Sequence, residues 1–327
     1  MQQNRPIARR LFLATGLAAT CGAALAESAA GYPSKPIRLI VPFTPGGGSD
    51  AAARFFGDKL ADALGQPVVV ENKPGGNSGS IGTALVKSAP ADGYTILLGS
   101  TAPLVTNVVM VKELPYDAGK DFKPVAGLTK NTTAIVVPAN SPHRTLADLV
   151  AASRKDPKLN AGTASAGFQL AATWFASTAG FRFTHVPYKG LNQALTDLAG
   201  GNLDWAIVDL AGATALLQAQ RIRALAVTDD DRHPFFPAVP TVRESGYPQY
   251  VYNTWTSFHV RADTADDITR KLVEATLKVL KSPAALEYAK RAGTPLLPLG
   301  PADFAKYQRE EVERFQKVAD AAGIKAE

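Results

Sequence analysis

The chain has 327 residues, of which 46% are hydrophobic and 20% charged, and its formal net charge is +6 at pH 7. That length suggests one large domain or two smaller ones, and the composition is globular rather than disordered. Neither half carries a block of like charge, and without a dense basic face a nucleic-acid partner is excluded.

The first 26 residues read as an export signal. "RPIARR" is basic, "LFLATGLAATCGAALA" is an apolar run, and Ala24-Leu25-Ala26 fits a small-residue cleavage site. The run is short for a membrane span, which needs about 20 residues. Arg9-Arg10 before Leu11-Phe12-Leu13 also resembles a twin-arginine signal, with Ala8 where Ser or Thr is usual. The expected destination is the periplasm, by the general secretory route or the twin-arginine one. Removal of residues 1–26 takes away Arg5, Arg9 and Arg10 and no acid, which lowers the formal charge from +6 to +3. It also removes Cys21, the only cysteine, and with it any disulfide, thiolate nucleophile or cysteine metal site.

The mature chain alternates short apolar strands with amphipathic helices. "IRLIVPF" reads as a strand, and "AAARFFGDKLADALG" as a helix closed by Gly65. "PVVVEN" is a strand, "SGSIGTALVKSA" a helix and "YTILLGS" a strand. A second series opens with the strand "TAIVVPA" and the helix "TLADLVAASRKD", capped by Thr145. "LNAGTAS" leads into the helix "FQLAATWFASTAG"; "FTHVPY", "LDWAIVDL" and "IRALAVT" are strands, with helices "LNQALTDLAGG" and "GATALLQAQ" between them. "WTSFHVRA" is a strand in a new context, and three helices beginning at Thr264, Ser282 and Gly300 end the chain.

This order predicts an α/β protein with two doubly wound sheets. The last three helices have no sheet of their own and must cover one already made. The expected division is a discontinuous first domain, residues 27–126 plus 251–327, with residues 127–250 inserted as a second. Two crossover strands then form a hinge near Gly127–Thr132 and Tyr250–Thr254. Ligands of open α/β sheets lie at the carboxyl ends of the strands, so the expected site is the cleft between the domains.

Candidate site residues gather in the loops at those strand ends. "PFTPGGGSD" joins a strand to a helix through a glycine triplet, a device that holds an anion at a helix N-terminus. Its candidates are Phe43, Thr44, Gly47, Gly48, Ser49 and Asp50, although Asp50 also suits a helix N-terminal cap. "ENKPGGNSGSIG" is a second glycine-rich loop, where Asn77 or Ser78 caps the following helix. Ser100 and Thr101 end a strand. "AGTASAGFQLAA" is the analogous loop of the inserted domain and offers Thr163, Ala164, Ser165, Gly167 and Phe168. Asp209 is a candidate acid at another strand end.

No enzyme constellation emerges. His143, His185, His233 and His259 are scattered and lack metal-ligand spacing, and there is no Gly-x-Ser-x-Gly elbow. The expectation is therefore no catalysis, no metal and no cofactor. The enzymatic alternative is an exported NAD(P)-dependent oxidoreductase, since Gly46-x-Gly48-x-x-Ala51 with Glu71 fits a dinucleotide fingerprint. Against it, Pro42-Phe43-Thr44-Pro45 make a wider, stiffer loop than that fingerprint uses.

Long motifs in order connect the chain to a known family. They include "YPSKPIRLIVPFTPGGGSD", "LGQPVVVENKPGGNSGSIG", "ADGYTILLG", "LPYDAGKDFKPVAGL", "HVPYKGLNQALTDLAGGNLD", "FPAVPTVRESGYP" and "AAGIK". With these the sequence resembles the substrate-binding receptors of tripartite tricarboxylate transporters over nearly all of the mature chain. The resemblance implies a two-domain, type II-like periplasmic binding protein fold. It implies capture of a small organic carboxylate, aromatic or aliphatic, and delivery to membrane permease subunits. A receptor that signals to a sensor partner is the further alternative, and a monomer is expected. It also implies that loops Phe43–Asp50 and Gly162–Gln169 pinch a ligand carboxylate through backbone amides and ordered water. The second loop departs from the usual family pattern, with Phe168 and Gln169 where small polar residues and His are common. That departure implies an altered pocket, in which Phe168 and Trp255 face an aromatic ring.

Overall fold

A computed structural model describes residues 31–321 together with 323, 324 and 326. The signal peptide expected over residues 1–26 lies outside the described residues. The chain opens with β1 (Ile37–Val41), α1 (Gly48–Leu64), β2 (Val68–Asn72), α2 (Ser80–Lys87) and β3 (Thr95–Ser100). A wide helical turn over Ala102–Thr106 then runs into the short α3 (Asn107–Met110). β4 (Phe122–Pro138) leads to α4 (Leu146–Lys155), β5 (Asn160–Thr163), α5 (Ala166–Ala179), β6 (Thr184–Pro187) and α6 (Leu191–Ala199). The chain continues through β7 (Trp205–Asp209), α7 (Leu210–Gln218), β8 (Ile222–Val227) and β9 (Asn253–Arg261). It ends in α8 (Asp266–Leu280), α9 (Pro283–Ala292) and α10 (Pro301–Ala321).

The architecture is an α/β fold on a curled, mixed sheet. β2, β1 and β3 are parallel neighbours, β9 pairs antiparallel to β3, and the first part of β4 pairs antiparallel to β9. The second part of β4 pairs with β7 on one side and β8 on the other, and β5 and β6 follow β7 in parallel. One 17-residue strand thus belongs to both halves. The predicted strand "TAIVVPA" covers only its second half. The first half lacks an apolar run of its own, because Lys130-Asn131-Thr132 is polar and Pro124 interrupts the pattern, so the sequence marked it only as a crossing near Gly127–Thr132. Pro124 is tolerated because the β4–β9 register shifts between Pro124 and Ala126, an irregularity that relieves the missing ladder donor.

Helix ends follow local chemistry. Thr145 caps α4 as expected: its hydroxyl accepts the Asp148 N–H at 3.1 Å while Asp148 accepts the Thr145 N–H at 2.9 Å. Gly65 ends α1 in the left-handed region (φ 70°). Ser282 caps α9, whereas α8 begins at Asp266, two residues after the predicted Thr264. Both faces of the sheet are covered. α1, α8 and α9 close one face of the first half around Leu39, Phe56, Phe258 and Leu272. On the other face a single apolar cluster runs from Leu97, Leu104 and Phe304 into Leu170, Phe175 and Trp205 of the second half. α6 and α7 cover the remaining face around Leu198 and Val208.

Candidate functional site

Strand direction brings the carboxyl ends of both halves to the middle of β4. Ser100, the last residue of β3, pairs with Thr256 of β9, and Asn253 at the start of β9 pairs with Thr132 of β4. Asp209, the last residue of β7, pairs with Thr133, the next residue along β4. The ends of β3 and β7 therefore meet where the two halves join. The junction is held by hydroxyls and one ion pair. Thr129 and Thr256 share a hydrogen bond of 2.6 Å, and the Thr133 and Thr228 hydroxyls bond each other. The Thr228 hydroxyl donates to the Tyr252 carbonyl at 2.6 Å, and Lys130 meets Asp229 at 2.7 Å.

The glycine loop of the first half is built by Asp50. Gly46 has φ 88°, which turns the chain into a helix that starts at Gly48 rather than at the apolar pattern's first residue, Ala51. One Asp50 carboxylate oxygen accepts from the Gly46 N–H and from Arg54, each at 3.0 Å, and the other accepts from Asn72 at 2.9 Å. Asn72 also donates to the Phe43 carbonyl at 3.1 Å. Burial opposes ionisation of Asp50, but Arg54, the Gly46 N–H and Asn72 outweigh it and hold its carboxyl below the usual range. The buried Asp50 side chain thus braces the loop, in line with the structural role it also suited in the sequence. Thr44, Gly47 and Gly48 are exposed, and Phe43 and Ser49 are half-buried. A Cβ at Gly47 or Gly48 would meet nothing within 4 Å, so the backbone at the N-terminus of α1 is open to a ligand.

At the end of β3, the Thr101 hydroxyl accepts the Trp255 N–H at 2.9 Å. The Ser100 hydroxyl and the Asn253 side-chain carbonyl oxygen are also buried without a protein partner. Trp255 is fully buried, and its ring stands edge-on to Phe304, 4.9 Å between centroids, within the shared core.

The second half presents the N-terminus of α5. Ser165 is its cap, accepting the Phe168 N–H at 3.3 Å, and the Thr163 hydroxyl is bonded to His185 Nε2 at 2.6 Å. Ala164, Ser165 and Ala166 are half-buried. Phe168 is half-buried too; its ring lies edge-to-face on Tyr252, at 6.2 Å between centroids, and packs on the shared core. Asp209 caps α7 through the Ala211 N–H at 3.1 Å, and burial pushes its carboxyl up to about 6.

Two contributors were not among the predicted contacts. Tyr252, fully buried on the second crossing, lies beneath Gly167 and Phe168. Ser78, read in the sequence only as a cap, instead accepts the Ala166 N–H of α5 at 3.2 Å across the two halves. Glu71, the acid that a dinucleotide fingerprint needs, is held bidentately by Arg38 at 2.6 and 3.0 Å. A cavity of about 410 Å³ lies elsewhere, between α5 and α10, lined by Trp174, Thr178, Glu310, Arg314 and Lys317 among others. Among the described residues no His, Cys, Asp and Glu cluster has a metal-holding arrangement, and no helix is long and apolar enough to cross a membrane.

Comparisons with known proteins match the chain to one family. The tripartite tricarboxylate transporter family receptor profile matches residues 52–324. A UPF0065 protein from the tcbD-tcbE intergenic region of Pseudomonas sp. is 36% identical over 95% of this chain and 93% of its own length. Protein BugT of Bordetella pertussis is 34% identical over 94% of this chain and 95% of its own. Among solved structures, R. palustris Rpa4515 with adipate superposes with a TM-score of 0.86 at 32% identity, covering 90% of this chain and 100% of that one. MatC from Rhodopseudomonas palustris with bound malate gives 0.81 at 27% identity, covering 88% and 99%. The periplasmic binding protein BugD gives 0.84 at 28% identity, covering 90% and 100%. The chain belongs to the tripartite tricarboxylate transporter receptor family, whose members are periplasmic substrate-binding proteins and not enzymes.

Proposed function

We propose that this receptor captures a small organic carboxylate where the two halves meet and hands it to membrane permease subunits of a tripartite transporter. The observation that carries the reading is the convergence of β3 and β7 on the middle of β4, with the open N-terminus of α1 and the capped N-terminus of α5 in the loops beside them. A helix N-terminus favours a nearby anion by about 0.3–1 kcal/mol when exposed and more when partly buried. Amide donors need no arginine, and ordered water serves nearly as well as direct contact. The relatives solved with adipate and malate support a carboxylate ligand.

In this reading residues 27–126 plus 251–327 move as one domain and 127–250 as the other, about the crossings near Gly127–Thr132 in β4 and at Tyr250–Thr254. The mature protein acts as a periplasmic monomer after removal of residues 1–26. The Phe43, Thr44, Gly47, Gly48 and Ser49 loop and the Thr163–Phe168 loop supply the amides, with Ser100, Thr101 and Asp209 at the strand ends between them.

A thermal-shift screen of adipate, malate and aromatic carboxylates, followed by calorimetry, tests this. Ligand that binds only the folded state raises Tm by mass action. Saturable binding of a carboxylate with compaction in small-angle scattering is the expected result. Micromolar binding of NAD(H) or NADP(H) with no response to any carboxylate would overturn it. Phe168→Ala separates the ligand classes, since a ring contact adds about 0.5–1.5 kcal/mol beyond burial. A selective loss of aromatic ligands identifies Phe168 as a pocket wall, and equal effects on both classes leave it as packing against Tyr252.

A further inference from the structure

Ser78 is one of two non-glycine residues with positive φ among those described, at φ 45° and ψ 49°. L side chains adopt this left-handed region at a cost, so a serine there must be held by its surroundings. Gly75, Gly76 and Gly79 around it also have positive φ. Its base is anchored by Asn107 of α3, which is fully buried and donates its side-chain amide to the Asn77 carbonyl at 2.5 Å. The Asn107 side-chain carbonyl oxygen has no protein partner, while its amide N–H holds the loop.

The winding has one visible product. The Ser78 hydroxyl reaches the first residue of α5 and accepts the Ala166 N–H at 3.2 Å. Ser78 lies between β2 and α2 of the first half, and Ala166 follows β5 in the second. The bond therefore crosses between the halves. The N–H that it occupies is one of the orphan donors at the helix N-terminus that a ligand carboxylate would seek.

We propose that Ser78 is a closure latch: its hydroxyl caps α5 in place of ligand, holds the two halves together in the unliganded receptor, and must yield the Ala166 N–H when a carboxylate enters. This rests on the receptor reading only for the last step. The latch itself is a property of the protein without ligand. A neutral hydroxyl on an amide is worth about 0.5–1.5 kcal/mol net, enough to bias an open–closed equilibrium several-fold without locking it. A carboxylate makes a stronger, charge-assisted bond to the same N–H and so displaces it.

The test uses the mature protein, which has no cysteine, spin-labelled at Asp62→Cys on α1 and Gln193→Cys on α6, both exposed positions. Ser78→Gly removes the hydroxyl and suits the left-handed backbone; Ser78→Ala removes the hydroxyl and leaves the strain. Without ligand, both substitutions should move the label-to-label distance distribution toward a longer, broader population, and amide exchange at the start of α5 should speed up several-fold. Unchanged distances in both variants would overturn the latch, and so would a shift in Ser78→Ala alone, which would assign the effect to backbone strain. Adding adipate is a separate arm. If it binds, the variants should return to the wild-type liganded distance. If no carboxylate binds, the receptor reading fails, and the ligand-free distances still decide the latch.

Discussion

The Tyr252 hydroxyl sits directly under Gly167. A Cβ built on Gly167 would stand 3.0 Å from that oxygen and 3.2 Å from the Thr106 hydroxyl oxygen. Tyr252 belongs to the second crossing, Thr106 to the first half and Gly167 to the first turn of α5, so all three parts of the receptor meet at one missing side chain. Tyr252 and Thr106 are fully buried and have little room to retreat. Gly167→Ala should therefore destabilise the protein: overpacking costs about 1–3 kcal/mol, offset by about 0.5–1 kcal/mol for replacing glycine in a helix. A lower urea midpoint with an unchanged m-value is the expected result.

Asp209 should impose a pH dependence. Its folded carboxyl is raised to about 6 from an ordinary value of 3.8 by burial. Between those values the folded state binds the proton more readily than the unfolded chain, so stability falls as pH rises through that window and levels off above it. An ionised Asp209 at the strand ends also repels a carboxylate. Affinity for a dicarboxylate that stays ionised should decline from pH 5.5 to pH 7.5. Asp209→Asn keeps a capping side chain for α7, and both profiles should flatten in it. An identical pH profile in the variant would remove Asp209 from the site.

Ser100→Ala separates stability from binding. The hydroxyl is buried with no protein partner, so removing it should leave Tm unchanged or slightly higher. If that hydroxyl serves the ligand, carboxylate affinity should fall by roughly tenfold, the equivalent of about 1.4 kcal/mol. Calorimetry and a thermal melt on one preparation measure both.

The Lys130–Asp229 pair ties β4 to the segment after β8 at 2.7 Å, and Thr132 adds a second donor to Asp229 at 3.2 Å. The Asp229 side chain is 12% exposed, so this is not an ordinary surface pair. Lys130→Met should cost about 1–2 kcal/mol, between the values for exposed and buried pairs, by leaving a mostly buried carboxylate short of its cation. Chemical denaturation checks this, and the loss should be smaller in the double variant with Asp229→Asn.

Local chemistry was legible in the sequence wherever one stretch of chain decides it. The 3.6-residue spacing of Phe56 and Leu60, the cap at Thr145, the left-handed Gly65 and the strand–helix alternation all depend on neighbours a few residues apart. They sufficed for the α/β class, the glycine loops at strand ends and the family motifs. The tertiary structure decided what depends on distant partners. Lys130-Asn131-Thr132 is polar and carries no strand pattern of its own, yet it lies at the centre of the longest described strand. Thr129 and Thr133 of that strand find hydroxyl partners on Thr256 and Thr228, 127 and 95 residues away. Asp50 and Trp255 carry the chemistry of ligand contacts but are taken up by Arg54 and Asn72 in one case and Phe304 in the other. Ser78 offered only a capping signal, because its partner Ala166 lies 88 residues further along the chain. Sequence periodicity records which face of an element is buried; which group meets a buried hydroxyl or carboxylate is decided only when separate strands and helices pack together.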